Sequence, residues 1–224
     1  MPVLLELFAG TGSVGKIAKK MGYSVISVDN EDKNRKPTIL QNIGTWKFKT
    51  DKRLPQKVDF LWASPPCTSF SILNNSMKTP HRDIKTMKPL TETGRLGNKL
   101  LAKTIAIYKY LKKKNPNLKF GMENPTGYMR RMPATKRFNL NSTSYSQYGF
   151  NYNKPTDIWT NYPLKLKPRD TSKNPSKMKL AGKMCAKGAQ GQSQSTLYRI
   201  PGPLIRSILK QAKGKMKKEE PEEK

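Results

Sequence analysis

The stretch from Val3 to Asp29 constrains the fold more than any other part of the chain. Val3–Phe8 (VLLELF) is an apolar run of strand length that breaks directly into Gly10-Thr11-Gly12-Ser13-Val14-Gly15. From about Ser13 to Met21 the apolar residues Val14, Ile17 and Ala18 share one helical face and Lys16, Lys19 and Lys20 the other, and Gly22 supplies the stop. Tyr23–Val28 is a second strand-like run ending in Asp29. Strand, glycine turn, helix, strand is a βαβ unit, which needs parallel strands and a crossover helix.

The rest of the chain continues that alternation. Thr38–Ile43 reads as a short third strand, and Val58–Ala63 as a fourth, stopped by Ser64-Pro65-Pro66. Residues 68–94 are rich in Thr, Ser, Asn, Lys and Pro without a sustained period, so they read as a long functional loop. Arg95–Lys114 is the strongest helix, with Leu96, Leu100, Ile105, Ile107, Tyr108 and Leu111 on its apolar side and Asn115-Pro116 as its end. Leu118–Met122 is a strand running into Glu123-Asn124-Pro125. Asn141–Gln147 and Thr156–Thr160 are two more, joined by the turn-rich stretch Tyr148–Pro155. Residues 163–195 form an extended basic segment, Pro203–Ala212 a last helix, and Lys213–Lys224 a frayed, charged tail. We therefore expect one α/β domain over residues 1–212, with ligands beyond the carboxyl ends of a mostly parallel sheet.

Composition narrows the partners. Lys and Arg number 44 against 15 Asp and Glu, a net charge of +29. Such an excess repels itself unless a polyanion is near, and nucleic acid is the commonest one. No apolar stretch approaches the roughly 20 residues needed to cross a bilayer. Two cysteines, Cys67 and Cys185, with the single His81, supply neither a disulfide framework nor a zinc ligand set. The expectation is a soluble intracellular monomer without metal, working in the cytoplasm or nucleus wherever its nucleic acid lies.

The glycine turn alone leaves its ligand open. GxGxxG after a strand brings backbone and helix N-terminus close to a nucleotide-type ligand. Gly10 to Lys16 also has P-loop spacing, but Ile17 stands where the magnesium-holding hydroxyl belongs. Asp29 can accept hydrogen bonds from ribose hydroxyls, which serves NAD and S-adenosylmethionine alike.

Two strand ends read together decide between them. Ser64-Pro65-Pro66-Cys67-Thr68-Ser69-Phe70-Ser71 and Met122-Glu123-Asn124-Pro125, following Leu7-Phe8-Ala9-Gly10-Thr11-Gly12 and Asp29, resemble the cytosine-C5 DNA methyltransferase family in motif order over nearly the whole chain. Gln147-Tyr148-Gly149 through Lys154 is similar to a further family motif. The resemblance implies a Rossmann-like class I methyltransferase fold, a mostly parallel twisted sheet with helices on both faces, and S-adenosyl-L-methionine as cofactor. It implies duplex DNA as partner, with the target cytosine flipped out, because a stacked base is out of reach. Cys67 would add to C6 of the base as a thiolate and Glu123 would face the Watson–Crick edge, with Lys154 completing the catalytic set. Phe8, Gly10, Thr11, Gly12, Ser13, Val14, Asp29, Asn30, Asn42, Ile43 and Pro65 would line the cofactor. Pro66, Ser69, Ser71, Asn124 and Thr156 would meet the base and its strand. The loop after Cys67, with His81 and Arg82, would close over the nucleotide and grip phosphates.

The chain departs from the family pattern in several places. Asn42 stands where an acid usually meets the adenine, Lys154 where an arginine is usual, Thr156 where a second one falls, and Pro125 where valine is common. The last motif is reduced to Tyr198-Arg199-Ile200-Pro201. Only residues 163–195 occupy the place of a target-recognition domain, room for phosphate contacts but little base reading, so a short or relaxed recognition sequence is expected. Compact enzymes of this kind resemble those of large DNA viruses and phages. The alternatives are an RNA (tRNA) cytosine-C5 methyltransferase, whose usual Cys-Phe-Thr tripeptide is missing here, a catalytically inactive nucleic-acid-binding relative, and an NAD-dependent oxidoreductase.

Overall fold

The computed structural model describes residues 1–32, 36–72, 78–169, 179–180 and 198–214. A seven-stranded sheet carries the fold, in the order β3-β2-β1-β4-β5-β8-β6. Its strands are β1 (Val3–Leu7), β2 (Ser24–Asp29), β3 (Ile39–Leu40), β4 (Phe60–Ala63), β5 (Lys119–Pro125), β6 (Asn139–Ser144) and β8 (Pro155–Thr160). Strands β3 to β5 pair in parallel, whereas β8 runs antiparallel between β5 and β6. A separate two-residue ladder joins β7 (Tyr152–Asn153) to β9 (Lys179–Leu180). This is the expected α/β architecture, with one antiparallel hairpin added to a parallel sheet.

The continuous apolar reading of β1 has a direct cause: both faces of the sheet are covered, so successive side chains bury in opposite layers. Leu5 and Leu7 join Leu61, Phe120 and Met122 under helix α2 (Glu92–Lys114). Leu4 joins Phe60 and Trp62 under α1 (Ser13–Lys20) and α3 (Gly202–Gly214), which contribute Val14 and Ala18, and Leu204, Ile205, Ile208 and Leu209. Glu6, on the α1 side, is 1% exposed and accepts a hydrogen bond from the Gly15 amide at 3.0 Å, fixing the start of α1 over the sheet. Gly121 on β5 leaves room for the Trp62 ring, which a Cβ there would meet at 2.9 Å.

Several boundaries differ from the sequence reading. Helix α2 begins one turn early because the Thr91 side chain accepts from the Gly94 amide and caps it. Leu96 is 50% exposed, so it lies off the packed face, where Leu100, Thr104, Ile107 and Leu111 recur instead. The strand expected over Asn141–Gln147 stops at Ser144, and Tyr145–Tyr148 forms a 3-10 turn ended by Gly149 at φ 91°. Most of the basic segment, Cys185, and the tail from 215 onward lie outside the described residues. No described helix is long and apolar enough to cross a membrane.

Candidate active site

Register assembles the site. In the parallel half of the sheet Leu7 is level with Val28 on one side and with Ala63 on the other, and Ala63 is level with Met122. One residue further along, Phe8, Asp29, Ser64 and Glu123 therefore stand in a single row at the carboxyl edge. The four sequence features that seemed separate motifs begin from that row.

On one side is the glycine turn. Phe8, Gly10 and Gly12 all take positive φ, at 58°, 47° and 65°. Glycine tolerates this; Phe8 does so at a cost of about 1–2 kcal/mol. The Gly12 amide closes the turn on the Ala9 carbonyl at 2.7 Å. Asp29 reaches across from β2, accepting from the Gly10 amide at 2.7 Å and from the Glu31 amide at 3.0 Å. A Cβ on Gly10 would meet nothing within 4 Å, so open space lies beside the turn. No acid stands in the first turn of α1 and its N-cap residue Gly12 offers no side chain, but the Glu6 carboxylate from β1 already accepts from the Gly15 amide in that turn.

Other expected cofactor residues fall into two groups. Thr11 is half-buried and Asn30 exposed at this edge. Asn42 is exposed, with its Oδ1 accepting from the Gly44 amide at 2.8 Å in an Asx turn. By contrast Val14 and Ile43 are core residues, and the Ser13 hydroxyl accepts from the Ile200 amide at 3.2 Å, tying the approach to α3.

Across the row, the β4 end leads through buried Pro65 and exposed Pro66 to the half-buried Cys67. Cys67 opens a 3-10 turn over Thr68–Phe70, closed by the Phe70 amide donating to the Cys67 carbonyl at 2.9 Å. Asn124, 1% exposed, donates from Nδ2 to the Pro65 carbonyl at 2.8 Å and so lashes the end of β5 to the segment that presents the thiol. Its Oδ1 is buried without a partner among the described residues. Ser71 is half-buried; Ser69 is buried, with its carbonyl and hydroxyl both engaged by Arg82 at 2.8 and 3.2 Å.

Glu123 is 5% exposed on β5. Burial pushes its carboxyl above the usual range, against the opposing pull of nearby Lys154 and of a hydrogen bond from the Tyr145 hydroxyl at 2.9 Å. Lys154 places its ammonium 4.6 Å from the centre of the Tyr145 ring. Thr156 is fully buried behind this pair and donates to the Lys154 carbonyl at 3.1 Å. Tyr145 is the functional residue that the sequence reading missed. Placed in a continuous strand, it was one aromatic among nine tyrosines; the 3-10 turn is what swings it onto Glu123. The antiparallel hairpin β6–β8 thus supplies the acid with its surroundings.

The loop after Cys67 corrects an expectation. Arg82 was expected on phosphates, yet it is 3% exposed with its guanidinium spent inside the protein. His81 shares a hydrogen bond of 2.9 Å with the Thr91 hydroxyl and belongs to the start of α2. Among the described residues no group of three or more His, Cys, Asp or Glu gathers to hold a metal ion.

A family model described as C-5 cytosine-specific DNA methylase matches residues 3–127. The chain belongs to that family. A relative from frog virus 3 (isolate Goorha), named a probable DNA (cytosine-5)-methyltransferase, is 31% identical over 222 residues, covering 92% of this chain and 98% of its own. Among solved structures, an Entamoeba histolytica methyltransferase superposes with a TM-score of 0.59 at 10% identity, over 97% of this chain and 99% of that one, a likeness of fold. A methyltransferase encoded within an Escherichia coli prophage is matched over 71% of this chain but only 46% of that longer one, with 15% identity and a TM-score of 0.47. The match to the viral relative at nearly full length accords with the compact form read from the sequence. This cytosine-C5 methyltransferase has a class I methyltransferase fold, and the matched residues 3–127 include the whole row of strand ends described above.

Proposed function

We propose that this enzyme methylates cytosine C5 in duplex DNA, on a base flipped out of the helix, through a covalent adduct to Cys67. The observation that carries the reading is the single row at the carboxyl edge, with the glycine turn and Asp29 at one end and the Cys67 and Glu123 segments at the other. The open turn and the half-exposed Asp29 carboxylate suit an adenosyl ligand bearing ribose hydroxyls. S-adenosyl-L-methionine, when bound there, supplies an electrophilic methyl group.

Each residue then has a task. C5 of cytosine is a weak nucleophile, and addition of the Cys67 thiolate to C6 makes it a strong one. The Sγ–C6 bond forms as electron density moves toward C5 and N3. Glu123, whose buried setting favours its neutral form, donates to N3 and stabilises the charge developing on the ring. Tyr145 fixes the carboxyl, and Lys154 offers a cation beside it in place of the family's usual arginine; an ammonium lacks the bidentate fork, so its hold on the base is less directional. After C5 takes the methyl group, loss of the C5 proton to a base, return of the N3 proton to Glu123 and breakage of the Sγ–C6 bond release 5-methylcytosine and the thiolate. The net charge of +29 suits a polyanionic substrate, and the small segment 163–195 suits a short recognition sequence.

Methyl-tritiated cofactor with duplex DNA and with tRNA, followed by digestion to nucleosides, tests the reading. The expected product is 5-methyldeoxycytidine from the duplex. Label confined to tRNA would move the enzyme to RNA. Conversion sequencing of the treated DNA should show methylation at a site of two or three bases; a strict longer site contradicts the short-recognition reading.

A further inference from the structure

Arg82 is a buried cation whose described partners include no carboxylate. Nε donates to the Ser69 carbonyl at 2.8 Å, and Nη2 to the Ser69 hydroxyl at 3.2 Å and the Gly94 carbonyl at 3.3 Å. Nη1 donates to the Met87 carbonyl at 3.0 Å and approaches the Met132 sulfur at 3.8 Å. The guanidinium carbon lies 4.4 Å from the centre of the Phe70 ring. Burying an unpaired cation costs several kcal/mol unless its donors are all taken and its charge is met by dipoles or a π face. Here neutral acceptors and an aromatic ring meet that need, in the forked pattern that a guanidinium fills and an ammonium does not.

What this arrangement holds is specific. Ser69 and Phe70 are the second and third residues after Cys67, and the Phe70 amide is bonded back to the Cys67 carbonyl. The same turn is seated against bare backbone on two other sides. A Cβ at Gly97 of α2 would lie 2.0 Å from the Ser69 hydroxyl, and one at Gly127, beyond β5, 2.3 Å from the Phe70 carbonyl. The turn is wedged between α2 and the end of β5 with no room for a side chain, and Arg82 fills the remaining side.

We infer that Arg82 is a positioning residue that sets the Cys67 turn in attacking geometry from within the protein, and that it makes no phosphate contact. The inference rests on Cys67 as the nucleophile proposed above. A half-exposed thiol that must stay open to an extruded base cannot be packed from the front; Arg82, Gly97 and Gly127 fix it from behind. A displacement of about 1 Å in such a group costs on the order of 100-fold in rate.

The test uses the full chain with Arg82→Met, Arg82→Lys and Arg82→Ala. Single-turnover formation of the covalent adduct with a duplex containing 5-fluorocytosine is followed, alongside cofactor affinity and the salt dependence of DNA binding. We expect adduct formation to fall about 100-fold in the Met and Lys variants. Cofactor affinity and salt slope should stay unchanged, and added guanidinium ion at millimolar concentration should partly restore R82A. Where an Arg82 variant does not fold, Gly97→Ala presses on the same turn from α2 and should show the same loss. Peptide-resolved alkylation of Cys67 by a maleimide, expected to change in R82M, reads the turn independently of catalysis. If the wild type forms no adduct while R82M alters this alkylation, the nucleophile assignment falls and the positioning role stands. An adduct rate in R82M close to wild type overturns the inference. So does a salt slope reduced by about one, the mark of a lost phosphate contact.

Discussion

The proposed nucleophile Cys67 and the proposed acid Glu123 belong to neighbouring strands, one past the end of β4 and the other within β5, and the protein holds them by opposite means. Glu123 lies within a ladder, level with Ile158 of β8, and its carboxyl is fixed by one buried hydroxyl in a setting that disfavours its charge. Cys67 lies past the end of β4, outside any ladder and half-exposed, and is fixed at second hand through Asn124 on Pro65 and Arg82 on Ser69. Sheet register suffices for a group that stays put and faces a ligand edge. A thiol that must meet an extruded base needs an accessible turn, so its order has to come from behind.

Predictions that separate the two regions begin with the nucleophile. Cys67→Ser should lower turnover by at least about 10⁵-fold. Melting should be unchanged, because the side chain is half-buried on a turn held by its neighbours; a large drop in melting temperature would mean that the thiol is part of the packing. Glu123→Gln should lower kcat by roughly 10²–10³-fold by removing the proton donated to N3. It should also change stability with pH in a defined sense. Burial raises the Glu123 pKa above its unfolded value, so its contribution to stability is full at acidic pH and is lost as pH rises through the folded pKa. The gain in melting temperature of E123Q over wild type should therefore widen as pH rises above the ordinary carboxylate range. A gain that narrows with pH would contradict the buried-acid account.

Smaller effects sharpen the contrast. Asp29→Ala removes two charge-assisted hydrogen bonds from the glycine turn and should weaken cofactor binding about 10-fold. With saturating cofactor, adduct formation at Cys67 should be unaffected, since the two ends of the row are held separately. Tyr145→Phe removes one hydrogen bond worth about 1 kcal/mol, a loss of about 5-fold in kcat. Because that bond favours the ionised carboxyl, its loss should move the alkaline limb of the pH–rate profile upward. An alkaline limb that stays in place would mean that Glu123 does not set it.

The sequence made the parallel half of the molecule readable and the hairpin half much less so. The run Leu4–Leu7, the glycine turn and Asp29 obey local rules, with strand length, helical period and punctuation all pointing one way. Cys67 and Glu123 stood out because the strand ends that carry them, read together and in order with the glycine turn, resemble the family's motifs. Tyr145 and Arg82 carried no such mark. Their roles come from contacts across long separations, Tyr145 to Glu123 over 22 residues and Arg82 to Ser69 over 13, through segments of no regular period. An arginine in a basic loop reads as a phosphate ligand, since composition cannot reveal that backbone carbonyls will surround it. Ser69 and Thr156 were read by position in a motif and prove to be buried supports.

The central claim is tested most directly by trapping the reaction midway. A duplex bearing 5-fluorocytosine, incubated with the enzyme and S-adenosyl-L-methionine, lacks the C5 proton whose loss frees the enzyme. The account predicts a stable protein–DNA adduct whose peptide map places the link on Cys67, absent in Cys67→Ser. An adduct on another residue, or methyl transfer to cytosine that leaves no adduct on the fluorinated strand, would contradict it.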